Sequence, residues 1–331
     1  SSTEDAPVAG WSHLLEHMLF RGTASYESEE IDRIFDAMGA ELNAGTGKES
    51  TSVYSRVLDA HLERAFDVMA DMVWRPRLAD EDLKNEREIV IEEIAMYEDD
   101  PQELVFDVAA ETVFGDSPLG RPVIGTRETV AAATSAGLRR FHDDRYRHGR
   151  VVVAGAGALE HERLVEMTQA ALDKLPADAP TAERAPRSQE RGPRERSVKA
   201  IEKPTEQAHL VLSGPGLARD DDRRFALRIL DAIVGGSSSS RLFQEVREKR
   251  ALAYAVYSFT SFHESAGHLG AYVGTRPDRL AETASILRAE LARVCADGVT
   301  PDELDRGREH VKGRTILAME STSARMNRLG S

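Results

Sequence analysis

The stretch GWSHLLEHMLFRGT, residues 10–23, puts two histidines and a glutamate into a short helix that is otherwise apolar. Polar groups buried in such a helix are costly unless each finds a partner, so the fold must bring partners from elsewhere in the chain. On a helix, His13 and His17 lie four residues apart and project from one face, where their imidazoles can converge on one metal ion. Glu16, three residues after His13, lies beside them. The order H-x-x-E-H is the reverse of the commoner H-E-x-x-H. In both, the histidines can hold a metal ion while the glutamate acts on a metal-bound water.

Two histidines are too few for a catalytic zinc, which takes three protein ligands and leaves its fourth position to water or substrate. A carboxylate must complete the set. The segment LKNEREIVIEEIAMYEDD, residues 83–100, offers Glu86, Glu88, Glu92, Glu93 and Glu98 on a helix whose charges are interrupted by Ile89, Val90, Ile91 and Ile94. That helix is expected to start at Asp80 as its cap and to end near Tyr97, before Pro101. Glu86, Val90, Glu93 and Tyr97 form one stripe of it. The periodicity allows Glu93 as ligand and leaves Glu92 open, while Glu88, Glu92 and Glu98 also read as an ordinary solvated face.

The 331 residues, 41% of them hydrophobic, suffice for two domains with a core each. A helix is expected from Ser28, as cap, to Gly39. A strand pair (AELNAG and STSVYSRVL) follows with its turn over Gly45 to Glu49, then a helix over HLERAFDVMADMVW. VVVAGAG at 151–157 reads as a strand and EHERLVEMTQAALDKL as an amphipathic helix. Between 176 and 204 come five prolines, many charges and almost no large apolar residues, the mark of a linker. Past it, AHLVLSGPG and GHLGAYVGT read as strands, DRRFALRILDAIVGG and PDRLAETASILRAELARVCADG as helices. The expected organisation is an α+β protein with domains at 1–175 and 205–331 joined by 176–204.

The 57 acidic against 43 basic residues give a net charge of −14, which disfavours nucleic acid as a partner. No apolar run approaches the roughly 18 residues of a membrane span. The one cysteine, Cys295, rules out an internal disulfide and a thiolate-rich zinc cluster. SSTEDAPVAG has neither a basic n-region nor an apolar h-region, so a cytoplasmic location is expected; the chain does not begin with Met, and an export signal ahead of it is left open.

Four segments together, HLLEHMLFRGT, ELNAGTGKESTSVYSRVL, EREIVIEEIAMYEDDP and PLGRPVIGT, resemble the N-terminal half of the pitrilysin/insulinase (inverzincin, M16) metallopeptidases, especially their mitochondrial-processing-peptidase-like bacterial branch. In that family the third ligand follows the second histidine by about 76 residues, which selects Glu93. By the same matching, Glu86 corresponds to a glutamate that orients a ligand, and Asn43 and Ala44 to the edge strand that pairs with substrate backbone. GGSSSSRLFQEVREKRALAYAVYS is similar to the family's second signature, whose arginine and tyrosine correspond to Arg247 and Tyr254; Ala251 stands where the family usually has glycine. The remaining histidines, His148 among them, match no ligand spacing.

The resemblance implies one Zn²⁺ per chain held by His13, His17 and Glu93, with Glu16 as general base and Tyr254 and Arg247 assisting. It implies two related domains, each a mainly antiparallel sheet packed with helices, closing like a clam around a chamber that admits unfolded peptides or presequence-like segments. It also implies homo- or heterodimeric pairing with a chain of the same type, and further residues both before the zinc helix and after residue 331. The acidic balance points to a preference for basic residues beside the cut. Two other readings are a non-catalytic peptide-binding or scaffolding subunit of the same fold, and a zinc amidase of small molecules, which leaves the Arg247 and Tyr254 match unexplained.

Overall fold

The structure is a computed structural model that describes residues 2–146, 150–175 and 196–330. Its first half runs through α1 (Trp11–Leu19), α2 (Ser28–Met38), β1 (Glu41–Thr46), β2 (Thr51–Arg56), α3 (Leu62–Trp74), α4 (Asp80–Asp99), α5 (Pro101–Phe114), α6 (Arg127–Ala131), α7 (Ser135–Arg145) and α8 (His161–Leu172). The second half contains β3 (Ala208–Gly216), α9 (Arg224–Val234), a π-helical turn (Phe243–Glu248), β4 (Ala253–Phe262), β5 (Gly267–Thr275), α10 (Leu280–Asp297), α11 (Pro301–Ala318) and α12 (Thr322–Gly330). Two compact units result, Ser1–Ala95 with Pro122–Pro186 and Ala318–Ser331 in one, Met96–Arg121 with Arg187–Leu317 in the other. Helices mixed with antiparallel strands make it an α+β protein.

This division places α5 in the second unit, because the Phe106 ring packs against Tyr257, Phe259 and Tyr272 of β4 and β5. Of the linker expected over 176–204, residues 176–195 lie outside the described residues, as does His148; residues 196–204 form neither helix nor strand.

In the first unit, the fully buried Leu14, Leu15, Met18 and Leu19 of α1 pack with Leu83, Val90 and Ile94 of α4 and with Leu138 and Phe141 of α7. Each such side chain contributes about 1.5–3 kcal/mol on burial. A second cluster joins Ile31 and Phe35 of α2 to Val68 and Met72 of α3. The expected strand pair is an antiparallel hairpin from Glu41↔Arg56 to Thr46↔Thr51. Its turn falls at 47–50 rather than from Gly45, closed by Gly47 N–H donating to Ser50 O at 2.8 Å. A hydrogen bond between the Thr46 and Thr51 hydroxyls extends the ladder past the glycine.

Two further local expectations are corrected. Helix α2 takes Glu27 as its N-cap, and the Ser28 hydroxyl instead donates to Phe20 O at 2.8 Å, tying α2 to the end of α1. The run VVVAGAG forms no strand: its β-branched residues favour extended backbone, but among the described residues no neighbour pairs with it. In the second unit the sheet order is β3-β5-β4, all antiparallel, and Val234, Leu242, Val246, Val256, Val273 and Leu287 form the core beneath it.

Helix α1 is anchored at its first turn. Gly10 sits at φ 88°, and a Cβ there would fall 2.5 Å from Ile124 O, so only glycine allows the two backbones to approach. The buried carboxylate of Glu4 then caps the helix, accepting from Gly10 N–H at 2.9 Å and Ser12 N–H at 2.7 Å. Glu4→Ala is expected to destabilise the protein by about 1–2 kcal/mol and Glu4→Gln by less, read from urea unfolding. An unchanged midpoint in Glu4→Ala would show that the carboxylate is not the cap.

Candidate metal centre

The packing of α1 on α4 decides which polar groups meet. With Leu14, Leu15, Met18 and Leu19 turned into the core, His13 and His17 share the remaining face, and Leu83, Val90 and Ile94 orient α4 so that Glu86 and Glu93 face them. The Nε2 of His17 is 3.5 Å and that of His13 3.7 Å from Glu93 Oε2. The imidazoles meet edge to face, their centroids 4.8 Å apart. Ligand atoms on a tetrahedral zinc with bonds of 2.0–2.1 Å lie about 3.4 Å from one another, so the two separations from Glu93 and the chemistry of the donors fit zinc. Glu88 and Glu92 are exposed on other faces of α4, and among the described residues His13, His17 and Glu93 are the metal-capable side chains that converge.

Glu86 lies about two helical turns before Glu93 on α4 and is 2% exposed. Its Oε2 is 3.0 Å from His17 Nδ1, and its Oε1 accepts from the guanidinium of Arg21. Held through Nδ1, the His17 ring turns Nε2 toward Glu93. Burial opposes ionisation of Glu86, yet the hydrogen bond with His17 and the charge of Arg21 outweigh it and keep the carboxyl below its usual range. The same hydrogen bond raises the pKa of His17. Burial, then the neighbouring His17, lowers that of His13 to about 4, so its lone pair is available to a cation at neutral pH.

Glu16 points into the same space. Its Oε2 accepts from the Thr46 hydroxyl at the end of β1; burial, with the charge of Glu93 adding to it, raises its pKa against the opposing effects of Thr46 and His17. Asn43 and Ala44 precede Thr46 on β1, whose outer edge pairs with no strand among the described residues; Asn43 Oδ1 accepts from Ala44 N–H at 2.8 Å.

Within the second unit, Arg247 and Tyr254 come together. Arg247 lies in the π-helical turn, and Tyr254 is the extra residue of a β-bulge between Ala253 and Ala255, its side chain 80% exposed. The guanidinium stacks 4.4 Å from the Tyr254 ring centre and donates to Tyr254 O at 3.2 Å. Between them Ala251 has φ 50°, a left-handed conformation that glycine adopts without strain.

Comparison with known proteins now adds ancestry to geometry. Residues 1–127 match the family profile described as insulinase (peptidase family M16), and residues 132–311 match that of the peptidase M16 inactive domain. An uncharacterized zinc protease of Streptomyces coelicolor is 45% identical, aligned over 100% of this chain and 72% of its own length. The chain belongs to peptidase family M16. Another M16-like relative, an uncharacterized zinc protease of Bacillus subtilis, is 38% identical over 100% of this chain and 79% of its own. A crystal structure of a peptidase M16 inactive domain from Pseudomonas fluorescens superposes with a TM-score of 0.91 at 25% identity, covering 100% of this chain and 79% of the other. A Helicobacter pylori protease shares the M16 fold at a TM-score of 0.85, 21% identity, 98% of this chain and 79% of its own. The "inactive" profile falls on the half without the H-x-x-E-H motif.

Two partners escaped the sequence reading. Arg21 stands four residues after His17, a spacing that could have marked it as a neighbour on α1, whereas Thr46 carried no signal before the hairpin register was known. Arg21→Met leaves the buried Glu86 with His17 as its charged partner, and a stability loss of about 2 kcal/mol is expected in urea unfolding at neutral pH. If the loss is within error of zero, Arg21 is not what keeps Glu86 ionised.

Proposed function

We propose that this chain is a zinc-dependent endopeptidase acting on unfolded peptides or presequence-like segments. The observation that carries it is the convergence of His13, His17 and Glu93, with Glu16 beside them. The relatives named as zinc proteases support the same reading. His13, His17 and Glu93 would hold the ion, whose positive charge activates water and stabilises negative charge on a scissile carbonyl.

The chain's own groups account for the rest. Glu16 takes a proton from the attacking water and returns one to the amine nitrogen as the C–N bond breaks. Glu86 holds the His17 ring through Nδ1. The free edge of β1, at Asn43 and Ala44, offers backbone groups to an extended peptide, which selects substrates able to present an unfolded strand. The half-buried Arg247 and the exposed Tyr254 are hydrogen-bond donors for which the family resemblance implies substrate contacts.

The test uses the full chain with zinc and a mixed peptide pool. Glu16→Gln should keep its zinc while losing about 10²–10⁴-fold in cleavage rate. Glu93→Gln should lose zinc affinity, and Glu92→Gln, altered on the exposed face, should not. A chelator should abolish cleavage, and Arg or Lys should be enriched beside the cut sites. Wild type that binds zinc and peptide but cleaves nothing would favour the non-catalytic binding reading instead.

A further inference from the structure

A row of hydroxyls runs away from Glu16 into the protein. Thr46 donates to Glu16 Oε2; its Oγ1 is 3.1 Å from Thr51 Oγ1 across the last pair of the hairpin ladder; and Thr51 is hydrogen-bonded to the phenol of Tyr146, just past the end of α7. The Tyr146 ring is itself fixed, stacked 5.0 Å from the buried His142, whose Nε2 is 2.8 Å from Val73 O. All of these groups lie in the first unit.

Counting protons gives the row a direction. A carboxylate acting as base only accepts, so the single hydroxyl proton of Thr46 is committed to Glu16. Thr46 must then accept from Thr51, and Thr51 from Tyr146, the end of the row being a phenol whose pKa burial pushes upward and which therefore keeps its proton to donate. One lone pair of Glu16 Oε2 is thereby occupied, and the carboxylate plane is set by a rigid strand rather than by the side chain's own three torsions. Glu16 sits on α1, whose two histidines face Glu86 and Glu93.

We propose that Thr46 is a positioning residue for the general base, with Thr51 and Tyr146 fixing the direction of its hydroxyl. The proposal rests on the reading of Glu16 as base. It assigns β1 two tasks: residues 43 and 44 face the peptide, and residue 46 aims the carboxylate at the water beside it.

The test compares Thr46→Val, Thr46→Ser, Thr51→Val and Tyr146→Phe in the full zinc-loaded chain. Thr46→Val should lower kcat about tenfold with KM and zinc affinity unchanged, as one oriented hydrogen bond is worth near the transition state. Thr46→Ser should restore kcat to within about twofold of wild type, since it returns the hydroxyl without the methyl. Thr51→Val and Tyr146→Phe should lower kcat less and add nothing to Thr46→Val, because all three act through one oxygen.

A second readout does not need turnover. The Glu16 carboxyl carbon resonance, assigned by its loss in Glu16→Gln, should move in Thr46→Val and return in Thr46→Ser. If wild type shows no cleavage, the proposed function falls while this resonance still decides the contact. An unmoved resonance overturns the proposal, as does a kcat unchanged in Thr46→Val, a loss that Thr46→Ser fails to restore, or a loss shared by zinc affinity. Should Thr46→Val fail to fold, Thr51→Val, which leaves Thr46 in place without its donor, carries the same comparison.

Discussion

The contact between α1 and α4 is the constraint on which the rest of the first unit depends. Four fully buried side chains of α1 and three of α4 lock the two helices in rotation as well as in position, and rotation is what matters for the polar faces. A turn of α4 by one residue, 100°, would replace Glu93 with Glu92 or Ile94 opposite the histidines. Hydrophobic packing has no directionality of its own, yet here it sets which carboxylate meets which imidazole. The glycine contact at Gly10 and the Glu4 cap fix the start of α1 along its axis, so the helix can neither slide nor spin.

Burying so much charge beside that core is tolerable because each group has an opposite neighbour. Glu86 lies between His17 and Arg21, and Glu93 between two imidazoles. The arrangement is asymmetric in a useful way. Burial drives His13 toward its neutral form, whereas the hydrogen bond with Glu86 raises the pKa of His17. His13, His17 and Glu93 thus converge on one point, with Glu86 behind the His17 ring.

Much of this was legible because it depends on spacing within single elements. The four-residue step from His13 to His17 and the stripe from Glu86 to Glu93 are properties of a helix, and α1 and α4 are helices. Helix periodicity could not separate Glu93 from Glu92, since both lie within reach of one face; tertiary packing separates them by exposing Glu92. The run at 151–157 has the residue pattern of a strand but forms none for the complementary reason: a strand is a relation between segments, and no local pattern supplies the partner. Thr46, Thr51 and Tyr146 belong to the same class, joined only through the hairpin register and the approach of α7. So does α5, whose own sequence says nothing of the sheet it covers in the second unit.

The second unit holds the opposite kind of information, carried by irregularity. Within a dozen residues the chain makes a π-helical turn, a left-handed alanine and a β-bulge. The left-handed alanine costs about 1–3 kcal/mol in backbone strain, and such a feature persists only where surrounding structure over-determines it. Here Leu242, Val246, Leu252 and Val256 are buried in one core and pin the segment between its irregular points. Arg247, within the π turn, donates to Tyr254 O, and Tyr254, at the bulge, lies with its ring against the guanidinium. Ala251 makes the cost visible, because glycine there would remove the steric penalty at the price of a floppier unfolded chain. The left-handed alanine and the bulge stand on either side of Leu252 and Ala253, so the Arg247–Tyr254 pair is built on irregular backbone that the buried core holds in place.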